Sequence, residues 1–416
     1  MRVTLWRHPD FVRLWLGQSV SLLGSQIGST ALTFTAILAL GATPVQLGYL
    51  ATARAVPVLL FGLLAGVWVD RTQRRPLLIL ADLGRALLLL TIPAAALFGG
   101  LRMEQLYVVT VLVSTLAVFF DVAYPAYLPA LVKPEQLVEG NSKLSMNEAL
   151  AEIVGPALGG ALVQAVTAPF AILFDAVSFL ISALSLGLIQ TKEPSVALGP
   201  QEGEATTAGV VQEIRAGLQM TFGNPILRAL LGSAVMVSFS GGIIGTLYTL
   251  YLVQTLGLTP FLLGIVVGVG GVSALVGAFI VTRVTHRLGI GRTLIGARLV
   301  AVATSALMVL AWGPLPVVLT MLLLSQAADA VWAIYAINEV SLQQALTPPQ
   351  LLGRVHASVR FMTGIVFPVG ALLGGMLGQT IGLRRAISVG LLIGGLSALW
   401  LIFSPVHKLE KIEQAL

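Results

Sequence analysis

Residues recur along this chain at a nearly constant distance. Thr43-Pro44-x-x-Leu47-Gly48 returns as Thr259-Pro260-x-x-Leu263-Gly264, 216 positions later. Arg13 and Gly17 return as Arg228 and Gly232, 215 positions later. Pro134 stands 25 residues before the Gly159-Gly160 pair, and Pro349 stands 25 before the Gly374-Gly375 pair. Agreement across three markers means that one half of the 416 residues was duplicated to make the other. The fold must therefore consist of two like halves.

Composition fixes the solvent of those halves. Hydrophobic residues make up 56% of the chain and charged ones 10%, against about 25% charged in an average soluble domain. So little charge does not cover a globular surface, and lipid is the expected surroundings. A duplicated, strongly apolar chain is the pattern of a secondary transporter, whose halves rock about a site between them. The absence of cysteine rules out disulfides, thiolate metal sites and cysteine nucleophiles. The net charge of +6 comes largely from basic residues in short loops, which fits membrane topology and anionic headgroups and not nucleic acid. Arg2, Arg7, Asp10 and Arg13 precede a long apolar run, so no cleavable signal is expected and the first helix should remain as an anchor.

A spanning helix needs roughly 20 mostly apolar residues. Twelve stretches qualify: 14–40, 46–69, 76–99, 105–129, 143–166, 169–190, 225–254, 261–284, 291–312, 315–345, 355–380 and 385–405. The expected organisation is a six-helix bundle over 1–190, a cytoplasmic linker over 191–224 with room for one surface amphipathic helix, and a second six-helix bundle with a short tail over 225–416. Among loop residues, Arg102, Arg384 and Arg385 fall on one side, whereas Arg71, Arg74, Arg75, Lys133, Lys143, Arg283, Arg287 and Arg354 fall on the other. That asymmetry places both termini in the cytoplasm of a cell bounded by this inner or plasma membrane.

Glycines four apart (Gly62/Gly66, Gly155/Gly159, Gly264/Gly268 and Gly370/Gly374/Gly378) lie inside spans and suit close helix approach. Ionisable residues inside the spans need a reason, because each costs about 2.5–3.5 kcal/mol at the bilayer centre. Asp82, Arg85, Arg298, Glu339 and Arg360 are expected to snorkel to the cytoplasmic edge. Glu148 and Glu152, one turn apart on one face, and Asp121 and Asp329 are the candidate proton carriers. Asp121 is also placed to meet the basic residues of the loop after the second span. Arg54 and Asp175, on different helices of the outer half, are expected to form an ion pair. The spacing Asp121, Tyr124, Tyr127 matches Asp329, Trp332, Tyr335 and suggests paired cavity walls, although its offset of 208 is out of step with the duplication.

Two motifs and three further stretches carry a family resemblance. Gly66-Val-Trp-Val-Asp70-Arg71-Thr-Gln73-Arg74-Arg75 resembles the signature loop of the major facilitator superfamily, with Gln73 in place of its second glycine. The resemblance implies a cytoplasmic gate in which Asp70 pairs with Arg74 or a neighbouring helix end, while Gly66 lets a helix pack close. Gly155-Pro156-Ala-Leu-Gly159-Gly160 is similar to the fifth-helix motif of that superfamily's antiporters, which implies a bent helix and export. Pro9-Asp10-Phe11-x-Arg13-Leu14-Trp15-x-Gly17-Gln18, Leu131-Val132-Lys133-Pro134-Glu135 and Pro349-x-x-Leu352-Gly353-Arg354-Val355 resemble the enterobactin-exporter and macrolide-efflux branch. That branch often has an acid after the first-span glycine, where this chain has Ser25-Gln26.

The expectation is an all-α membrane protein with twelve transmembrane helices in the major facilitator fold. It acts as a monomer and exports amphipathic small molecules of drug or siderophore type by proton antiport and alternating access. A facilitator without proton coupling and a lysolipid flippase of the same fold are the alternatives. No Gly-Lys phosphate loop exists, which excludes an ATP-driven pump within this chain. Short, nearly uncharged extracytoplasmic loops argue against an enzyme, and no cofactor or metal is implied.

Overall fold

The computed structural model describes residues 5–191, 193, 215 and 217–410. Their regular structure is helical, because a backbone in lipid has no water to bond and must satisfy its own N–H and C=O groups. The helices of the first half are α1 (Pro9–Phe34), α2 (Pro44–Asp70), α3 (Arg74–Leu97), α4 (Met103–Leu131), α5 (Leu137–Val166) and α6 (Ala168–Gly187). Those of the second are α7 (Pro225–Gln254), α8 (Pro260–Leu288), α9 (Ile290–Leu310), α10 (Leu315–Ser325), α11 (Ala327–Leu346), α12 (Leu352–Ile381) and α13 (Leu383–Ile402). With α10 and α11 forming one broken helix, twelve are long and apolar enough to cross a membrane. The fold is all-α, with twelve candidate transmembrane helices.

Start signals repeat with the duplication. Pro44 and Pro260 each open a helix after a left-handed glycine, Gly41 (φ 61°) and Gly257 (φ 71°). Proline is suited to the first turn, where its missing N–H is not needed. Asn224 caps α7, its side chain accepting from the Ile226 and Leu227 N–H groups at 2.9 and 3.2 Å. The junction before α6 uses Thr167 at φ 71°, ψ 156°, and the matching junction before α13 uses Gly382 at φ 87°, ψ 156°.

Two compact units emerge. The first takes in the described residues through Ala42, those from Ala53 into the linker, and Thr259–Gly268. The second takes in Thr43–Thr52, the residues from the linker to Leu258, and those from Val269 onward. The segments exchanged relative to a simple division by sequence are the two that carry the duplicated Thr-Pro-x-x-Leu-Gly. Within the first unit, Gly160 and Gly264 admit close backbone contact between α5 and the start of α8. Within the second, Gly375 and Gly48 do the same for α12 and the start of α2. Gly155 and Gly159 sit against Gln26 and Thr30 of α1, and Gly370 and Gly374 against Phe239 and Ile243 of α7. Gly62 and Gly66 differ: a methyl at either would meet nothing within 4 Å. Gly66 therefore does not serve the close packing expected of it.

Each unit has a dense core toward one end of its helices. In the first it joins Phe11, Leu14, Leu78, Tyr127 and Ile189; in the second it joins Leu227, Leu294, Tyr335, Leu401 and Val406. Polar staples close that end of the first unit. Asp10 accepts hydrogen bonds from the Gln190 N–H (3.2 Å), the Thr191 N–H (2.9 Å) and the Thr191 hydroxyl (2.6 Å), and pairs with Arg13 at 2.7 Å. Glu193 accepts from the first two N–H groups of α3, at Arg74 (2.9 Å) and Arg75 (3.2 Å), where a carboxylate also suits the helix dipole. Arg75 donates in turn to the last carbonyls of α6, Leu186 (2.9 Å) and Gly187 (2.6 Å). The loop arginines thus act as end-caps. Arg74, expected to pair with Asp70, bonds Glu193 at 3.5 Å, while Arg71 is exposed and the Asp70 side chain lies outside what the structure describes. In the linker, 217–223 are helical, with Gly217 pressed on Arg354 and Ser358 of α12. The tail beyond Glu410 lies outside the described residues.

Candidate functional site

A cavity of about 300 Å³ opens inside the first unit, where α1, α2, α3, α4 and α6 converge. Helix α1 supplies Ser25, Gly28, Ser29 and Leu32. Their i, i+3, i+4, i+7 spacing puts them on one face. Gly24 and Gly28 bring α6 close, with Gly24 against Ser178 and Gly28 against the carboxylate of Asp175. Asp175 is buried, at 6% exposure, among partners that satisfy it. The Ser178 hydroxyl donates to its main-chain carbonyl at 2.8 Å, the Ser25 hydroxyl bonds its carboxyl, and Arg85 and Arg54 lie within electrostatic range. Arg54 donates to Ser29 Oγ at 3.0 Å.

The expected Arg54–Asp175 ion pair is therefore not a direct one. The two groups share the cavity and interact electrostatically, but hydroxyls of α1 stand as the hydrogen-bonding partner of each. The missing first-span acid is relevant here. The carboxylate at this level of α1 comes instead from α6, with Ser25 as its hydroxyl partner, while Ser29 takes Arg54.

Arg85 does not snorkel. At 5% exposure it pairs with Asp82, itself fully buried, and its guanidinium lies 4.1 Å from the Phe179 ring and 4.3 Å from the Phe120 ring. Flanking ring faces stabilise a cation held largely out of water. Arg85 Nε has no hydrogen-bond partner among the described residues, which leaves a buried donor beside the cavity that Arg85 lines. Arg298 repeats the arrangement in the second unit: it is 6% exposed and 3.4 Å from the Tyr335 ring, with Glu339 as electrostatic partner. It too was expected at the edge.

Asp121 lines this cavity. It stands ten residues, about 15 Å of helix, before the end of α4. It also lies in electrostatic range of Glu148, which in turn feels Glu152. The structure thus brings three of the four candidate proton carriers into one acidic group on α4 and α5, with Glu148 and Glu152 exposed. The fourth, Asp329, is in the second unit, against Gly270 and accepting from Gln326 at 3.4 Å.

The tyrosines are corrected. Tyr124 and Tyr127 belong to the packed core, at 8% and 0% exposure, because their helical phase turns them about 60° and 120° away from Asp121. Trp332 is 56% exposed, and Tyr335 is fully buried on Arg298. The residue that plays the part of Tyr335 in the first half is Phe120, 215 positions earlier. The matching offset was the available signal, and the 208-residue spacing obscured it. Asp10 and Ser25 stood in stretches read for family resemblance and not for these contacts, and Glu193 and Ser29 had no signal beyond their residue type.

Comparison with known proteins agrees with this architecture. A model of the Major Facilitator Superfamily matches residues 14–371. The multidrug efflux pump Tap of Mycolicibacterium fortuitum is 27% identical over 84% of this chain and 86% of its own. Macrolide efflux protein A of Streptococcus pyogenes is 23% identical over 90% and 91%. The crystal structure of a bacterial homologue of the iron transporter ferroportin in the inward-facing state superposes with a TM-score of 0.72 at 20% identity, covering 94% of this chain and 98% of that one. With the family model spanning most of its length, the chain belongs to the Major Facilitator Superfamily, as a multi-pass membrane transporter with efflux pumps among its relatives.

Proposed function

We propose that this transporter exports amphipathic small molecules of drug or siderophore type across the plasma membrane, exchanging them for protons by alternating access. It works as a monomer with both termini in the cytoplasm. The observation that carries this reading is the cavity of the first unit, where Arg54, Arg85, Asp121 and Asp175 stand among Leu32, Val58, Leu89 and Phe179. Ionisable groups at membrane depth are functional by default, and apolar walls with a few polar anchors suit weakly specific cargo. Asp121 belongs both to that wall and to the acidic group with Glu148 and Glu152. A proton gained by the acidic group therefore changes the field that cargo meets, which is the linkage antiport needs. The GPxxGG segment of α5 and the efflux-type relatives favour export over uptake.

The test is transport of a compound panel by the purified protein in liposomes, with and without an imposed pH gradient. Export that follows the gradient, and that Glu152→Gln or Glu148→Gln uncouples, supports the reading. Export that persists unchanged with the gradient collapsed replaces it with an uncoupled facilitator.

A further inference from the structure

The duplication relates two positions that now do different things. In the first unit, the end of α6 is stapled to α1 by Asp10, which takes the Gln190 and Thr191 N–H groups and holds Arg13. Gly17 of α1 packs there on Ser185. Each of these residues has a counterpart 215 positions on: Asp10 becomes Pro225, Arg13 becomes Arg228, Ser185 becomes Trp400 and Gln190 becomes Pro405. Pro225 has no carboxylate to offer and Pro405 has no N–H to give, while Val406, the counterpart of Thr191, turns its N–H to the Ser404 hydroxyl at 3.2 Å. Arg228 remains, exposed, and among the described residues its guanidinium has neither an ion-pair nor a hydrogen-bond partner.

A groove of about 520 Å³ lies where the staple would be, between the start of α7 and the end of α13. Its apolar walls are Met236, Leu396, Leu399 and Phe403, and Arg228 stands at its mouth. The Trp400 ring lies over Gly232, its Nε1 donating to Met236 Sδ at 3.2 Å. Phe403 is 83% exposed and Leu396 49%, an apolar face of the kind that a membrane or a partner surface covers. The same end of the second unit carries Arg283, Arg287, Arg292, Arg354 and Lys408, so charge complementarity selects an anionic occupant.

We propose that this groove binds an anionic phospholipid, with the headgroup phosphodiester on Arg228 and an acyl chain along Met236, Leu396, Leu399 and Phe403. Tryptophan at the level where chain meets headgroup is the position its amphipathic ring favours. A lone guanidinium suits the phosphodiester because its fork of N–H donors matches two phosphate oxygens.

Native mass spectrometry of the full chain, released from nanodiscs of phosphatidylcholine mixed with phosphatidylglycerol of the same acyl chains, tests this. The wild type should retain phosphatidylglycerol about fivefold over phosphatidylcholine, the factor equivalent to about 1 kcal/mol per basic residue near an anionic surface. Arg228→Gln should bring the ratio to parity. Leu396→Trp, which fills the groove and keeps the charge, should remove the retained lipid, and Arg385→Gln in the first turn of α13, the other end of that helix, should change nothing. A wild type without preference, or an Arg228→Gln variant that keeps it, overturns the proposal. Displacement by millimolar inorganic phosphate alone would make it an anion site without a chain groove. A wild-type dimer that Leu396→Trp splits would make the face a contact between two copies.

Discussion

The carboxylate of Asp175, carried by α6, rests against the bare backbone of Gly28 on α1. A methyl at Gly28 would overlap it, so the cavity's acid and the packing of two helices are set by the same glycine. Gly28→Ala is expected to cost about 1–3 kcal/mol, as overpacking does, and to lower transport. Asp175→Asn, which preserves shape, should leave the melting midpoint nearly unchanged and reduce transport strongly. Thermal unfolding in detergent paired with liposome transport separates the two effects, and full transport by Asp175→Asn would remove that carboxylate from the site.

Asp82 and Arg85 are both buried and paired with each other. Arg85→Ala leaves an uncompensated charge and should destabilise the protein by about 3–5 kcal/mol. The double variant Asp82→Leu with Arg85→Met should recover most of that stability while transport stays low. Recovery of both would make the pair purely structural.

Thr167 adopts φ 71°, ψ 156°, a region nearly reserved for glycine. Thr167→Gly should raise stability by about 1 kcal/mol. Gly382→Thr, at the matching junction of the second half, should lower it by a similar amount. A lowered midpoint for Thr167→Gly would show that the threonine side chain contributes more than its backbone costs.

Glu193 closes the first turn of α3. Glu193→Gln retains an acceptor but loses the charge, and should cost about 0.3–1 kcal/mol, the worth of an anion at a helix N-terminus. Hydrogen exchange at Arg74 and Arg75 should accelerate, with α4 and α5 unaffected. Unchanged exchange there would mean that the cap contributes nothing measurable.

The fold was legible in the sequence because lipid leaves few choices: an apolar run of sufficient length must become a helix, and a constant offset must give like halves. The site was only partly legible. Depth along a span is readable from residue counts, but angle about the helix is not when lipid-facing and cavity-facing residues are equally apolar. That is why Arg85 and Arg298 were assigned to the membrane edge although aromatic rings hold both inside. The same gap put Tyr124 and Tyr127 on a cavity wall that Asp121 occupies alone among the three. The roles of Arg74 and Arg75 depended on Glu193, more than a hundred residues away, and no local pattern announces such a partner.

The staple at Asp10 has one further consequence, for heredity. A gene that repeats itself starts with every contact in duplicate, and a second copy of a working clamp is free to decay. Here the first copy has the acid and its two amide donors, while the second has prolines in place of the acid and of one donor. The halves are thus no longer exchangeable modules. A chimera built from two first halves would carry two clamps, with the paired Arg13 in place of Arg228, and one built from two second halves would leave both helix ends undone. Shuffling experiments on this chain should break at that seam before they break anywhere in the apolar spans.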